Sequence, residues 1–270
     1  MTQAEKAARL RALHGAAEPL LLVNAWDPVT ARILETMNFP AIATTSAAIA
    51  NVHGFRDGQG MPRAAMLAAI TAIVAAVELP VTADLEGGYG TAIEDAIATA
   101  RGAIDAGAVG LNFEDAADRG LLPIELQAQR IRAIRETSRE RGIDLVINAR
   151  TDVFLASIGE PGERLGLTLE RAAAYVAAGA DAIFVPGVTD AATIGELARA
   201  IAAPLNVLAA PDSPSVEELK RLGVRRISCG GSAHGHAMAA FRKAAAEMRD
   251  RGTFDFASDR ISHADLNALL

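Results

Sequence analysis

The stretch VTADLEGGYG, residues 81–90, runs from apolar residues into two acids and three glycines. Asp84 and Glu86 stand two positions apart, so on an extended strand both carboxylates face the same way. Like charges held side by side repel and are costly to strip of water, so a partner must offset them. One acid here reads as an N-cap or turn residue; a same-face pair backed by glycines points to a cation site. Further along, NFEDA (112–116) adds Glu114 and Asp115, and NARTD (148–152) adds Arg150 and Asp152. Asp84, Glu86 and Glu114 offer only oxygen, which suits Mg²⁺, or Mn²⁺, with room left for water. No loop carries the dense acidic run expected of a calcium site. Arg150 supplies a planar fork matched to a carboxylate or phosphate. Metal and arginine together describe a pocket for a small chelating anion. A second reading of Arg150 is an internal salt bridge to Asp152 or Glu114.

These residues need elements that bring them together. Four stretches resemble one another: 37–46, 106–115, 178–187 and 222–231 each read as a helix end, a small-residue turn and a buried strand. Residues 79–86 and 203–210 enter through a proline, and 19–27 and 143–152 complete a set of eight. Apolar runs without alternation fit strands covered on both faces. Helical patterns at 62–78, 92–107 and 168–179 lie between them. The alternation predicts an α/β fold, a (β/α)8 TIM-type barrel over residues 1–250, whose strand ends gather at one active face. An open doubly wound sheet would need GxGxxG after its first strand, where NAWDPV stands. Residues 251–270 exceed what a barrel requires and read as a C-terminal extension, covering the barrel itself or docking on a neighbouring subunit.

The strand ends then carry Asn24, Trp26, Thr45, Ser46, Asp84, Glu86, Glu114, Asp115, Arg150, Asp152, Pro186, Asn206, Ser228 and the Gly230–Gly231 pair. A Schiff-base aldolase needs a lysine there, and Lys6, Lys220 and Lys243 all lie elsewhere. A phosphate-sugar enzyme would use GGSAHGH (230–236), where a helix start could attract an anion. His53, His234 and His236 read more readily as solvated or capping side chains than as catalysts. Cys229 reads as a core residue inside the eighth strand, and a lone cysteine allows neither an internal disulfide nor a cysteine metal cluster. Twenty-six basic against 33 acidic residues give a net charge of −7, which disfavours nucleic acid and anionic membranes. No run of 18 apolar residues and no apolar signal core occurs, so a cytoplasmic protein is expected.

At TTSAAIANVHGFRDGQ (44–59), ADLEGGYG (83–90), NFEDA and NARTD, in that order, the chain resembles the isocitrate lyase/phosphoenolpyruvate mutase superfamily. The resemblance spans roughly residues 15–250. It implies binding of a 2-oxo acid or its enolate through Mg²⁺, and a homotetramer, or a dimer, with C-terminal helices swapped between neighbours. Asp84 would be the direct metal ligand, with Glu86 and Glu114 holding metal-bound waters. Thr45, Ser46 and Ala47 would bind the substrate carboxylate, Asn206 would contact substrate, and Arg150 would grip it. Asp57 would lie near the reacting centre, so Asp57 and Arg150 are the catalytic candidates. The glycines would let loop and substrate approach closely.

The chain also departs from the pattern. The lyases' catalytic cysteine and the mutase's lysine and asparagine belong in the loop here reading EDAADRGLLP (114–123), which has none of them. Where the lyases place a glutamate, Pro186 stands. The expectation is therefore a Mg²⁺-dependent carbon–carbon lyase or decarboxylase of the oxaloacetate-decarboxylase type. Phosphorus–carbon chemistry, or a 2-oxo acid binding protein with little turnover, are the alternatives.

Overall fold

In the computed structural model, which describes residues 1–117 and 120–269, parallel strands surround a lumen and helices pack outside them. The strands are β1 (Leu20–Leu22), β2 (Asn24–Ala25), β3 (Ile42–Thr44), β4 (Val81–Asp84) and β5 (Gly110–Glu114). A two-stranded antiparallel ribbon, β6 (Ala116–Ala117) and β7 (Gly120–Leu121), follows β5 outside the main sheet. The sheet continues with β8 (Val146–Arg150), β9 (Ala182–Val185), β10 (Leu205–Leu208) and β11 (Arg226–Ser228). Its order is β1-β11-β10-β9-β8-β5-β4-β3-β2. The first barrel strand is broken at Val23: β1 pairs with β11 and β2 with β3, so the two pieces draw the sheet's ends together. Expected as one strand over 19–27, it is two.

The helices are α1 (Gln3–His14), α2 (Pro28–Thr36), α3 (Ser46–Val52), α4 (Arg63–Ala76), α5 (Ile93–Asp105) and α6 (Ile124–Glu140). They continue with α7 (Arg164–Ala177), α8 (Ala191–Ala200), α9 (Val216–Leu222), α10 (Ser232–Arg251) and α11 (His263–Ala268). Local signals start them: Thr2 and Glu5 form a capping box on α1, and Asp27 caps α2 ahead of Pro28. The patterns at 62–78, 92–107 and 168–179 become α4, α5 and α7, each within a few residues of its expected bounds.

Alternation along each strand divides the barrel into an outer and an inner layer. Val81, Ala83, Leu111, Phe113, Ile147, Ala149, Leu205 and Val207 face the helices and are buried there. Inside, Leu20, Leu22, Ala43, Val109 and Val146 meet Ala7 and Leu10 of α1, which plugs the barrel floor. Burying Leu10 stabilises the plug by about 2 kcal/mol. Above this apolar floor the lumen turns polar, with Thr82, Asn112, Asn148, Asn206 and Arg226 all buried. Higher still come Asp84, Glu114 and Arg150, at the ends of their strands.

Residues 252–269 turn back along α10 and end against α2. Thr253 Oγ1 and the Asp255 and Phe256 N–H groups bond to Glu247 of α10, and Arg32 Nε donates to the Leu269 carbonyl at 2.5 Å. Among the described residues no helix is long and apolar enough to cross a membrane.

Candidate active site

The strand ends enclose a cavity of about 190 Å³, lined on one side by Asp84, Ser46, Ala47, Asp57, Asn112 and Arg150. Leu155, Phe184, Pro186 and Leu208 form an apolar wall, and Asn24, Thr45, Ser228, Gly230 and Gly231 complete the lining. Of the three carboxylates expected at a cation, only Asp84 lines it. Asp84 Oδ2 accepts from Ser46 N at 3.0 Å and Ser46 Oγ at 2.8 Å, and Asn112 Nδ2 stands 3.5 Å from Oδ1. Asp57, on the loop after α3, lies 3.5 Å from Ser46 Oγ.

Glu86 lies outside the cavity lining, accepting from Gln59 N–H and, at 3.4 Å, from Tyr89 Oη. Burial pushes its carboxyl up to about 7; Asp84 and Asp57 add to the rise, while the Gln59 bond opposes it. Both Glu86 and Tyr89 adopt positive φ, at 51° and 61°, an uncommon conformation for residues with a Cβ. Gly88, at φ 86°, takes that conformation without strain, and a Cβ there would lie 2.6 Å from the Phe113 ring. Fully buried Arg130 pins the turn by donating to the Gly87 and Gly90 carbonyls, its guanidinium 4.6 Å over Phe113. None of the three glycines lines the cavity, so they shape the acid loop rather than admit a substrate. That corrects the expectation drawn from their proximity to the acids.

Arg150 follows the second sequence reading. Its Nε and Nη2 form a fork onto Asp152, at 2.5 and 2.8 Å, and Nη1 pairs with Glu114 at 2.8 Å. Register places Glu114 opposite Arg150 on adjacent strands, so the pairing is built into the sheet. Burial works against charge on Arg150, but Glu114, Asp152 and Asp84 outweigh it and hold the guanidinium firmly protonated. Burial also pushes Glu114 up to about 8, because its one arginine is shared with Asp152 and other acids stand near. Asp115 braces the arrangement from behind. It accepts from Asp152 N at 3.0 Å, Tyr175 Oη at 2.7 Å and Arg171 Nη1 at 3.0 Å.

The remaining expected residues divide. Thr45 and Ala47 both line the cavity, and the buried Thr45 donates its N–H to the Ala25 carbonyl at 3.2 Å. Asn206 is fully buried within β10, does not line the cavity, and its amide finds no partner among the described residues. Cys229 lies just beyond β11, half-buried, with its N–H donating to Asn24 Oδ1 at 3.1 Å, so it is not a strand-interior core residue. The Gly230 N–H is held by the same oxygen at 2.8 Å and is not free for a phosphate. His234 is buried edge-on to Trp26, ring centroids 5.2 Å apart. Asp118 and Arg119 of the EDAADRGLLP loop lie outside the described residues. Sequence reasoning missed Asn112, Arg130 and the apolar wall of Leu155 and Phe184. Asn112 was legible as the residue two before Glu114, hence on its face.

Comparison with known proteins bears on the family and the fold. A family model described as phosphoenolpyruvate phosphomutase matches residues 10–249. An uncharacterized protein of Mycobacterium tuberculosis (strain H37Rv) is 33% identical over 241 residues, 88% of each chain. A solved Burkholderia cenocepacia J2315 protein, described as a lyase/mutase, superposes with a TM-score of 0.92 at 39% identity, covering 98% of this chain and 95% of its own. Oxaloacetate acetylhydrolase, solved with its product oxalate, superposes with a TM-score of 0.88 at 26% identity, covering 99% and 94%. With the barrel and its ordered acids, these matches show that the chain belongs to the phosphoenolpyruvate phosphomutase family, within the isocitrate lyase/phosphoenolpyruvate mutase superfamily.

Proposed function

We propose that the protein is a Mg²⁺-dependent carbon–carbon lyase or decarboxylase acting on a small 2-oxo or 2-hydroxy carboxylic acid. The observation that carries this reading is Asp84, the one carboxylate of the acid rim that opens into the cavity, faced there by Arg150. The residues fit a hard cation. Burial leaves Glu86 and Glu114 resisting ionisation, a strain that a divalent charge relieves. Among the described residues no three acidic, histidine or cysteine groups converge closely enough to ligate one ion. One direct carboxylate with the others reached through water is how Mg²⁺ is commonly held, since it dehydrates reluctantly. Asp84 would bind it directly, and Glu86 and Glu114 would orient its waters. The chemistry such a cation would supply is polarisation of the substrate's carboxylate and 2-oxygen, which would ease cleavage of the adjacent carbon–carbon bond.

The chain's own residues supply the rest. A guanidinium has five N–H donors, and three of Arg150's are engaged, which leaves two for a substrate carboxylate. Leu155, Phe184, Pro186 and Leu208 exclude water from the other side. Asp57 is placed to hold or pass a proton beside Ser46. The cavity's 190 Å³ equals roughly six waters' share of liquid, the size of a small acid rather than a sugar phosphate. The name of the similar acetylhydrolase fits this class, since its product is oxalate.

The stripe Met238, Phe241 and Met248 on α10 is exposed, as are Phe254 and Ile261 in the tail. We assign it to contact with further copies of the chain, in a homotetramer or dimer. A substrate screen tests the activity: oxaloacetate, phosphonopyruvate and branched malates with Mg²⁺, read by pyruvate release against Asp84→Ala as background. Asp84→Ala should remain folded, fail to bind Mg²⁺ and lose all turnover, and EDTA should inactivate the wild type reversibly. Full activity in EDTA would falsify the metal reading; release from phosphonopyruvate alone would move the reaction to phosphorus–carbon cleavage.

A further inference from the structure

Beneath the acid rim the lumen holds a second charge that this chemistry does not use. Arg226, on β11, is fully buried and forms no salt bridge among the described residues. Its Nη2 donates across the lumen to Asn112 Oδ1 at 3.1 Å, and its Nη1 meets His14 Nε2 at 3.4 Å. His14 Nδ1 lies 2.8 Å from the Leu10 carbonyl, which can only accept, so Nδ1 carries the proton and Nε2 receives Arg226. Among the described residues Arg226 Nε has no partner, nor has the amide of Asn206, its register neighbour.

A buried guanidinium without a carboxylate is costly, and an apolar side chain would fill the same space more cheaply. The charge therefore acts on something. Asn112 links Arg226 to the acid rim, its Oδ1 accepting from Arg226 and its Nδ2 lying 3.5 Å from Asp84 Oδ1. Asn112 does not depend on Arg226 for its orientation, because Asn148 Nδ2 donates to the same Oδ1 at 2.8 Å. What Arg226 alone adds is positive charge in a low-dielectric lumen. We propose that Arg226 is a built-in counter-cation for the acid rim, coupled to Asp84 through Asn112 and thereby loosening the hold on a divalent cation. The second half rests on the reading of Asp84 as a metal ligand; the first half stands without it.

The two halves separate experimentally. Arg226→Gln keeps a donor towards Asn112 and removes the charge. In EDTA, thermal melting of wild type, Arg226→Gln, Asp84→Asn and the double variant forms a closed cycle. Arg226→Gln should lower the midpoint by about 5 °C, and the Asp84→Asn background should erase most of that loss. Additive losses overturn the proposal. If Arg226→Gln alone fails to fold, the double variant should fold, and failure of both also overturns it. For the second half, Mn²⁺ binding is followed by electron paramagnetic resonance of the free ion. Arg226→Gln should bind about tenfold tighter, while Arg226→Lys stays within about twofold of wild type. A merely structural arginine would give weaker binding when removed, so unchanged or weaker binding by Arg226→Gln overturns this half. A wild type that binds no Mn²⁺ removes the metal reading itself, and the melting cycle alone then decides the role of Arg226.

Discussion

The barrel rim and the C-terminal arm treat their side chains in opposite ways. At the rim, Asp84, Glu86, Glu114, Asp152 and Arg150 are all engaged by neighbours within the chain. Along the arm, Phe241 is 72% exposed and Phe254 63%, with Met238 and Met248 on the same helix face as Phe241. Charge is thus settled within one chain, whereas apolar surface is left over. The difference follows from the forces concerned. An unpaired buried charge is penalised at once, so the rim must satisfy itself during folding. An exposed phenyl ring costs little in water, and covering it would stabilise by about 2 kcal/mol per large side chain.

The largest break in this comparison would come at Arg150. Arg150→Ala strips the buried partner from both Asp152 and Glu114 and should cost about 3–5 kcal/mol of stability. Arg150→Lys keeps the charge and should recover much of that, but a point charge cannot replace the fork. If the two remaining N–H groups clamp substrate, neither variant gains the thermal shift that oxalate and Mg²⁺ give the wild type. A variant that melts far lower yet gains the same shift would leave Arg150 with architecture alone.

The acids of the rim sharpen the contrast through pH. Glu86 and Glu114 titrate in the metal-free fold near 7 and 8, both above the ordinary carboxylate value of 4.5. A carboxyl raised on folding contributes stability below its unfolded value and loses it as pH rises through its folded value. In EDTA, stability should therefore fall between pH 5 and 8, by up to about 1.4 kcal/mol per pH unit for each group. Saturating Mg²⁺ should flatten that slope. A slope identical with and without Mg²⁺ would place the cation elsewhere.

At the arm the expected effect is smaller and sits in assembly. Phe241→Asp puts a charge in the middle of the stripe and should shift the mass seen by light scattering towards the monomer. The monomer's own melting should change by less than about 0.5 kcal/mol, as for an exposed site. A wild type that is monomeric at all concentrations would remove the arm's assignment.

The rim was largely legible because strand ends impose their own pattern: apolar runs that stop at Asp84, Glu114 and Arg150 bring those residues to one face. The acids' spacing, however, says nothing about what each one touches. Glu86 turns away at a positive φ that its sequence neighbours do not announce, and Arg150 is claimed by Asp152 through a contact only two residues long. The break at Val23 and the β6–β7 ribbon were hidden for another reason, since stretches of two or three residues carry no periodicity. Least legible was the polar lumen. Asn112, Asn148, Asn206 and Arg226 come from four different strands, and each alone looks like one polar residue in an apolar run.

The smallest expected effect belongs to Cys229. Its sulfur lies 3.7 Å from Asn24 Oδ1, but that oxygen already accepts from the Cys229 and Gly230 N–H groups, at 3.1 and 2.8 Å. The backbone, not the thiol, ties the end of β11 to β2. Cys229→Ala keeps both backbone bonds and removes one half-buried sulfur, so its cost should stay below about 1 kcal/mol, beneath that of a full core truncation. Turnover should persist at the wild-type rate, because the thiol is absent from the cavity lining while Ser228, Gly230 and Gly231 on either side are part of it. Melting and initial rates on the same preparation decide the matter. A well-folded Cys229→Ala protein without turnover would bring the thiol into the chemistry and displace Asp57 as the group that handles the proton.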